Sequence, residues 1–198
     1  MLKALMMGLS LFMVACATTP PPQFYILEAL SPVAEPPAAQ AKNRQIGLGP
    51  ISLPALLERK QIVTRSGNGV VNIAEFQQWA EPLKDNIAQV LRQNLSQRQP
   101  NNLIRAYPWS AYGTVDYRII IDITRVDAEL GQWTRLDVNW SVMSESTHTI
   151  IKNAHSTFQR KLDDSSYQAV VLGLSHLFSD FSDDLAQAIA EINGVRLD

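Results

Sequence analysis

The alternation of apolar and polar residues predicts three consecutive long strands in the second half of the chain. Apolar side chains recur at every second position within 115–126 and 132–143, and less regularly within 147–162. A period of two is typical of strands that have one packed face and one solvated face. Because Gly131 and the segment 144–146 supply turns between the runs, we expect an antiparallel meander.

A helical period follows the meander. Apolar residues from Tyr167 to Ile192 recur at spacings of three and four, which places them on one stripe of a helix. Ser165 and Gln168 are spaced as in a capping box, and Asn193-Gly194 is a typical helix end. The predicted helix of about 28 residues is roughly 40 Å long at 1.5 Å per residue. It is therefore long enough to span the whole sheet.

The first half of the chain predicts short strands and a second helix. The runs 24–27, 45–51 and 103–107 are strand-like, and the glycines of 45–51 indicate that another backbone comes close there. Asn68-Gly69 predicts a hairpin between 61–65 and 70–74. The second helix is predicted to start with Pro82 at its first position. Its apolar face is formed by Leu83, Ile87, Val90, Leu91 and Leu95. The predicted fold class is α+β: a mostly antiparallel β-sheet with two main helices packed on one face.

The first sixteen residues are typical of an export signal. Lys3 is followed by an apolar run and then by Val14-Ala15-Cys16, where Cys16 fits the lipid-bearing cysteine of a bacterial lipoprotein. Two alternatives are an ordinary secretory signal with a chance cysteine and an uncleaved membrane helix, for which the apolar run is too short. We therefore predict a signal peptide at 1–15, a proline-bearing tether at 16–23 and one domain at 24–198.

Charge and composition exclude several classes of partner and chemistry. The chain has 17 Lys and Arg against 19 Asp and Glu, and loss of Lys3 with the signal leaves 16 against 19. A mildly acidic chain has neither the basic stripe that nucleic acid requires nor a polybasic patch for anionic lipid. Cys16 is the only cysteine. Once it carries lipid, the domain can form no internal disulfide and has no thiolate nucleophile.

The sequence offers no catalytic or metal-binding constellation. His148, His155 and His176 are not paired at helical spacing, and no HExxH motif is present. Gly67-Asn68-Gly69 lacks the lysine that follows in a phosphate-binding loop, and Asp163-Asp164 is explained by the start of a helix. We therefore predict no enzymatic activity, no metal and no cofactor.

Five segments follow one another in a distinctive order: Val14 to Cys16, Phe24 to Leu27, Ile46 to Pro54, Leu57 to Arg65 and Trp79 to Leu83. Their order resembles the PqiC-like family of ABC-type transport auxiliary lipoproteins. The resemblance covers residues 13–98 well, whereas the rest matches only as a β-meander and a long helix. It implies an accessory lipoprotein that acts with a mammalian-cell-entry (MCE) protein and a permease to move lipid or other hydrophobic molecules between membranes. The family supplies no catalytic residues.

The resulting hypothesis is an adaptor anchored by Cys16 in the outer membrane and facing the periplasm. The alternatives are a lipid carrier with an apolar pocket between sheet and helices and, less supported, an envelope hydrolase. The predicted contact with the MCE protein is an exposed sheet edge together with Leu53, Pro54, Leu56 and Leu57, which we expect to form one helical turn. The family motif Trp79, Glu81 and Pro82 is interpreted as structural. Assembly of several copies and the transported molecule are left open.

Overall fold

The computed structural model of the chain describes residues 20–31, 43–67, 69–109 and 113–194. These ranges contain eight strands, two helices and one short 3-10 turn. The helices are α1, Leu83–Arg98, and α2, Tyr167–Gly194, and the turn is Ala55–Leu57. The strands are β1 Gln23–Tyr25, β2 Gln45–Ser52, β3 Gln61–Ser66, β4 Val70–Trp79, β5 Leu103–Ala106, β6 Tyr117–Glu129, β7 Trp133–Ser144 and β8 Thr149–Lys161.

The strands form two mixed sheets. Five strands lie in the order β5-β2-β6-β7-β8, and three lie in the order β1-β4-β3. The long strands β6, β7 and β8 are an antiparallel meander, and β3 and β4 are an antiparallel hairpin, as predicted. Strand β2 is parallel to both β5 and β6, and β1 is parallel to β4. The predicted α+β class is confirmed, and the parallel pairs add crossovers that no local pattern reveals.

The core lies between the five-stranded sheet and the two helices. Along β6, Ile119, Ile121 and Ile123 are buried, whereas the alternate residues Asp122 and Thr124 are exposed. Helix α1 packs on β2 and β5, α2 packs on β7 and β8, and the helices contact each other. The apolar stripe of α2 is buried along its centre, at Leu174, Phe178, Phe181 and Leu185 among others, whereas Tyr167 and Ile192 at its two ends are half-buried.

Several boundaries differ from the sequence prediction. Strand β4 continues to Trp79 instead of ending near Ala74, because its second half pairs with β1. Helix α1 begins at Leu83, so Pro82 occupies the N-cap position and not the first helical one. The hydroxyl that caps α2 belongs to Ser166, which accepts a hydrogen bond from the Ala169 N–H at 3.0 Å. The cap therefore lies one residue beyond the predicted Ser165, and Ala169 has no side-chain acceptor that could complete a capping box.

The glycines of β2 make room for aromatic rings and not for another backbone. A Cβ on Gly47 would lie 3.1 Å from the ring of Trp109, and one on Gly49 would lie 2.8 Å from the Cβ of Tyr107. The two rings meet edge to face, with centroids 5.3 Å apart. The close approach predicted at these glycines is thus present, but it comes from side chains that follow β5.

A short extended segment, Leu27–Leu30, lies against both helices and is here called the strap. Its Leu27 N–H donates to Asn86 Oδ1 at 2.7 Å, and Asn86 Nδ2 donates back to the Leu27 carbonyl at 3.3 Å. The Leu30 N–H donates to Asn94 Oδ1 at 2.9 Å. The strap has no sheet partner of its own in the described chain, so these side chains satisfy backbone groups that would otherwise be buried without partners.

The first prediction concerns the core. Phe178→Ala should lower the free energy of unfolding by about 3–5 kcal/mol, because the ring is completely buried and its loss leaves a cavity. Leu172 is 48% exposed on the same helix, and Leu172→Ala should change stability by less than about 0.5 kcal/mol. Urea denaturation measures both. Equal midpoints for the two variants would contradict the assignment of Phe178 to the core.

The second prediction concerns the strap. Asn86→Leu keeps a similar volume but leaves the Leu27 N–H and carbonyl unsatisfied, which should cost about 1–3 kcal/mol. Hydrogen exchange at the Leu27 amide should accelerate in parallel. Gln89→Leu, at an exposed position of the same helix, is the matched control and should leave this amide protected. Unchanged protection in Asn86→Leu would show that the strap is held by other contacts.

Candidate docking site between the 3-10 turn and helix α1

The first component of the site is the turn that follows β2. Pro54 precedes it, and its carbonyl accepts a hydrogen bond from the Leu57 N–H at 2.8 Å. The predicted helical turn is therefore present, as a 3-10 turn. Leu57 is only 7% exposed and belongs to the core, whereas Leu53 and Leu56 are half-buried. The turn thus presents part of its apolar surface outward while Leu57 fixes it to the domain.

The second component is the junction between β4 and α1. Trp79 is buried, and its N–H donates to the Lys60 carbonyl at 2.7 Å. The Ala80 N–H donates to the Tyr25 carbonyl at 2.8 Å, and the Pro82 carbonyl accepts from the Asp85 N–H at 2.9 Å. Strand pairing on one side and the first helical turn on the other therefore hold this segment in place. Trp79 is thus a buried residue at the junction.

The two components face each other across one surface cavity of about 420 Å³. Its walls include Leu53 and Leu57 from the turn and Trp79 and Leu83 from the junction. The structure therefore brings together two segments that the sequence suggested for separate reasons. The remaining wall residues are Glu58, Arg59, Lys60, Ala80, Glu81, Pro82, Lys84 and Asp85.

Charges around the cavity are balanced. Its lining carries three acidic residues, Glu58, Glu81 and Asp85, and three basic ones. Arg59 is held by its own turn, since its Nε donates to the Leu56 carbonyl at 2.8 Å. In contrast, Glu81 Oε1 is closed to solvent and accepts no hydrogen bond from any residue that the structure describes. One wall of the cavity thus contains a carboxylate oxygen without a hydrogen-bond partner in the described chain.

The structure places the predicted site residues in different environments. Leu53, Leu57, Trp79, Glu81 and Pro82 line the cavity, whereas Leu56 and Pro54 are not among its lining residues. Cys16 lies outside the described residues. Sequence reasoning missed Ala80, Lys84 and Asp85, whose only signal was that they adjoin the Trp79-Pro82 motif. The separation of Leu56 from Leu57 reflects the tight 3-10 turn, which points neighbouring side chains in different directions.

An exposed sheet edge is also present, as expected. Strand β8 has 13 residues and pairs with β7 along one side only, at the end of the five-stranded sheet. Ile150 is 54% exposed near its start. A long unpaired edge of this kind can accept a further strand. Strand β8 lies at the opposite end of the sheet from β5, on which α1 packs. This edge is therefore a surface separate from the junction of β4 and α1.

The histidines are not gathered into a site. His155 lies on the exposed side of β8, where its Nδ1 is 2.8 Å from Asn139 Oδ1. Within the described ranges, no three His, Cys, Asp or Glu side chains are placed to hold a metal ion. Among the helices described here, neither is long and apolar enough to cross a membrane.

Comparisons with known proteins identify the fold and a family. A crystal structure of an uncharacterized protein is similar with a TM-score of 0.72 at 18% identity, over 86% of this chain and 99% of its own. Protein XCC0632 from Xanthomonas campestris is similar with a TM-score of 0.70 at 16% identity, over 86% and 96% of the two chains. At these identities the likeness shows the fold alone. No curated protein matches the sequence. Residues 25–186 match the family described as the ABC-type transport auxiliary lipoprotein component.

Proposed function

The chain belongs to the family of ABC-type transport auxiliary lipoprotein components, as the sequence resemblance indicated, and we propose that it is a non-enzymatic accessory subunit of an MCE-type transport system. In this proposal the protein is anchored in the outer membrane through acylated Cys16 and faces the periplasm. It assists the movement of lipid or another hydrophobic molecule across the envelope by binding the MCE-domain protein of the system.

One observation supports the proposal: the cavity between the turn and α1 opens at the surface, where it can take up a side chain of another protein. It is lined by apolar side chains from two separately held segments, and its volume of about 420 Å³ accommodates one or two large side chains. Hot-spot residues of protein interfaces fill well-packed pockets of this kind. The backbone hydrogen bonds of Leu57 and Ala80 fix both walls before a partner arrives, which lowers the entropic cost of binding.

The carrier alternative is less well supported by the packing. A carrier requires an apolar cavity of several hundred Å³ between the sheet and the helices. The recess at that interface has no room for a water-sized group. It is lined by Ile46, Tyr117, Val142, Ile189 and Ile192. Phe178 and Phe181 fill the centre of the interface and are completely buried. The open cavities of the described chain lie instead at its surface, and the one at the junction is among them.

The third prediction concerns anchoring. Cys16→Ala removes the acyl acceptor, so the protein should move from the membrane fraction to the soluble fraction of the periplasm. Ala17 after the cysteine is compatible with sorting to the outer membrane, since aspartate there is the usual retention signal in enterobacteria. Separation of inner and outer membranes on a density gradient measures both the loss of membrane association in the variant and the membrane to which the unchanged protein is sorted. A Cys16→Ala protein that has lost its signal peptide and still stays in a salt-resistant membrane fraction would exclude lipid anchoring, because the two or more chains required for it are gone.

The fourth prediction concerns docking. Ala80 is exposed on the cavity wall, so Ala80→Lys should leave the fold intact and place a charge where an apolar contact is required. Recovery of the MCE-domain protein in a pull-down from detergent extracts should fall at least tenfold, the equivalent of about 1.4 kcal/mol. This variant is preferable to a change at Leu57, whose burial would make loss of folding the simpler explanation.

A matched control separates the cavity from a general charge effect. Gln97→Lys adds the same charge at an exposed position near the other end of α1, about 20 Å away at 1.5 Å per residue. It should recover the MCE-domain protein as the unchanged chain does. If Ala80→Lys also recovers the partner fully, the junction cavity is not the docking site.

A further inference from the structure

We propose that the outer face of the three-stranded sheet lies against the phospholipid surface in which the chain is anchored, with Phe24 and Ile73 in contact with lipid. The inference rests on the proposed function, because it requires the lipid on Cys16. It goes beyond that function by assigning a second, non-covalent membrane contact, which fixes the orientation of the domain on the bilayer.

The outer face of this sheet is defined by the strand register. Phe24 of β1 pairs with Gln78 of β4, which pairs with Gln61 of β3, and Val63 pairs with Ile73. Paired residues of neighbouring strands point to the same side of a sheet. Gln61 and Val63 also share a side, since side chains alternate along a strand. All five side chains therefore belong to one face.

The two faces of the sheet differ in burial. On the inner face, Ile62 and Trp79 are buried and Tyr25 packs against the core. On the outer face, Phe24 is 62% exposed and Ile73 is 48% exposed. Within the described ranges, no large apolar side chain is more exposed than Phe24. The outer face thus keeps apolar surface in contact with water although the inner face already fixes the sheet to the domain.

The surroundings of Phe24 on the outer face are polar but carry little charge. Its neighbours across the sheet are two glutamines. Among the register-paired residues of this face, the charged one is Arg65, whose Nε lies 2.7 Å from Asp127 Oδ1. Glu75 is exposed in the irregular stretch of β4, where a single carboxylate can remain among the headgroups. The face can therefore approach a lipid surface without burying an unpaired charge, which would be costly.

The tether places this face beside the membrane. Eight residues, 16–23, join Cys16 to Phe24, and they reach at most roughly 28 Å when fully extended. Strand β1 is therefore the part of the domain that the anchor holds nearest to the bilayer. A short tether gives the membrane a high effective concentration at this face. Even a small apolar contact can then orient the domain, although it could not hold an untethered protein.

The size of the apolar surface favours lipid over a second copy of the chain. A stable protein interface buries about 800 Å² on each partner, whereas one aromatic side chain supplies about 150–250 Å². Phe24 and Ile73 thus provide only a small part of what a stable dimer requires. The anchored bilayer needs no such area, because the acyl chains already supply the binding energy.

The experiment uses the acylated full-length lipoprotein, purified from membranes and reconstituted into phosphatidylcholine vesicles. An environment-sensitive fluorophore is attached to Gln78→Cys, beside Phe24 on the outer face, or to Leu172→Cys, on the exposed side of α2. Because Cys16 is the only natural cysteine and carries lipid, the introduced thiol is the only one that reacts. Quenching is measured with lipid that carries bromine high on its acyl chains.

We expect strong quenching of the label at Gln78→Cys and little at Leu172→Cys. Phe24→Ser together with Ile73→Ser should lower the ratio of membrane-bound to free orientations about tenfold or more, because two apolar side chains lose their contact with lipid. Ile150→Ser, at a similarly exposed strand position of the other sheet, is the matched control and should leave quenching unchanged. High salt should also leave it unchanged, since the contact is not ionic.

The folding of the double variant is checked by urea denaturation. Its midpoint should not change, because Phe24 and Ile73 are exposed, and this result separates the membrane contact from a structural role. Equal quenching at Gln78→Cys and Leu172→Cys, or quenching that the double variant retains, would overturn the inference. Quenching that high salt abolishes would assign the contact to charge and would also overturn it.

The remaining outcomes distinguish this inference from the proposed function. Protein that floats with the vesicles but is not quenched at Gln78→Cys would refute the membrane contact and leave the anchor in place. A label that is shielded from water but insensitive to bromine would show that a second copy covers the face. Protein without acyl chains by mass spectrometry would refute the anchoring at Cys16 and, with it, this inference.

Discussion

The structure depends on the hydrogen bonds that the backbone N–H and carbonyl groups of the strap form between the two helices. Leu27 and Leu30 place peptide groups against α1, where no strand is available to pair with them, and Asn86 and Asn94 supply the missing partners. The two asparagines are eight residues apart, which places them on the same face of the helix. Arg98 completes the row, because its guanidinium donates to the Leu30 carbonyl and to Ser179 on α2. Polar residues within an apolar helix face thus join the two helices.

The strap also positions the candidate site. Strand β1 precedes it directly, and the Tyr25 carbonyl at the end of β1 accepts from the Ala80 N–H at the cavity wall. The strap joins β1, in the three-stranded sheet, to the helices that cover the five-stranded sheet. The cavity lies between the turn after β2 and the junction of β4 and α1, and its wall at Ala80 is held by the hydrogen bond to Tyr25. A change that releases the strap should therefore alter the docking site before it alters the core around Phe178.

The sequence predicted those parts of the fold whose determinants are local. The meander of β6, β7 and β8 follows from an alternation that is regular in the first two runs and weaker in the third, α2 follows from its apolar stripe, and the hairpin of β3 and β4 follows from the turn signal between them. The parallel pairs of β2 could not be predicted, because they join residues far apart in sequence and leave no periodic signal. Strand β4 was predicted too short for a related reason, since its final residues pair with β1. Asn86 and Asn94 interrupt the apolar face of α1, and their role becomes clear only when the strap is placed beside them.

The candidate site could be predicted in its components but not in its assembly. The turn at Leu53–Leu57 and the Trp79-Pro82 motif are separated by a hairpin, and only the fold brings them to one cavity.

The position of this cavity constrains the partner. If Cys16 carries the lipid, the eight residues 16–23 reach at most roughly 28 Å from the membrane to β1, at about 3.5 Å per extended residue. Because Tyr25 contacts the cavity wall at Ala80, the docking site lies only slightly farther away. If that membrane is the outer one, as proposed, a partner rooted in the inner membrane must extend across most of the periplasm to reach the cavity.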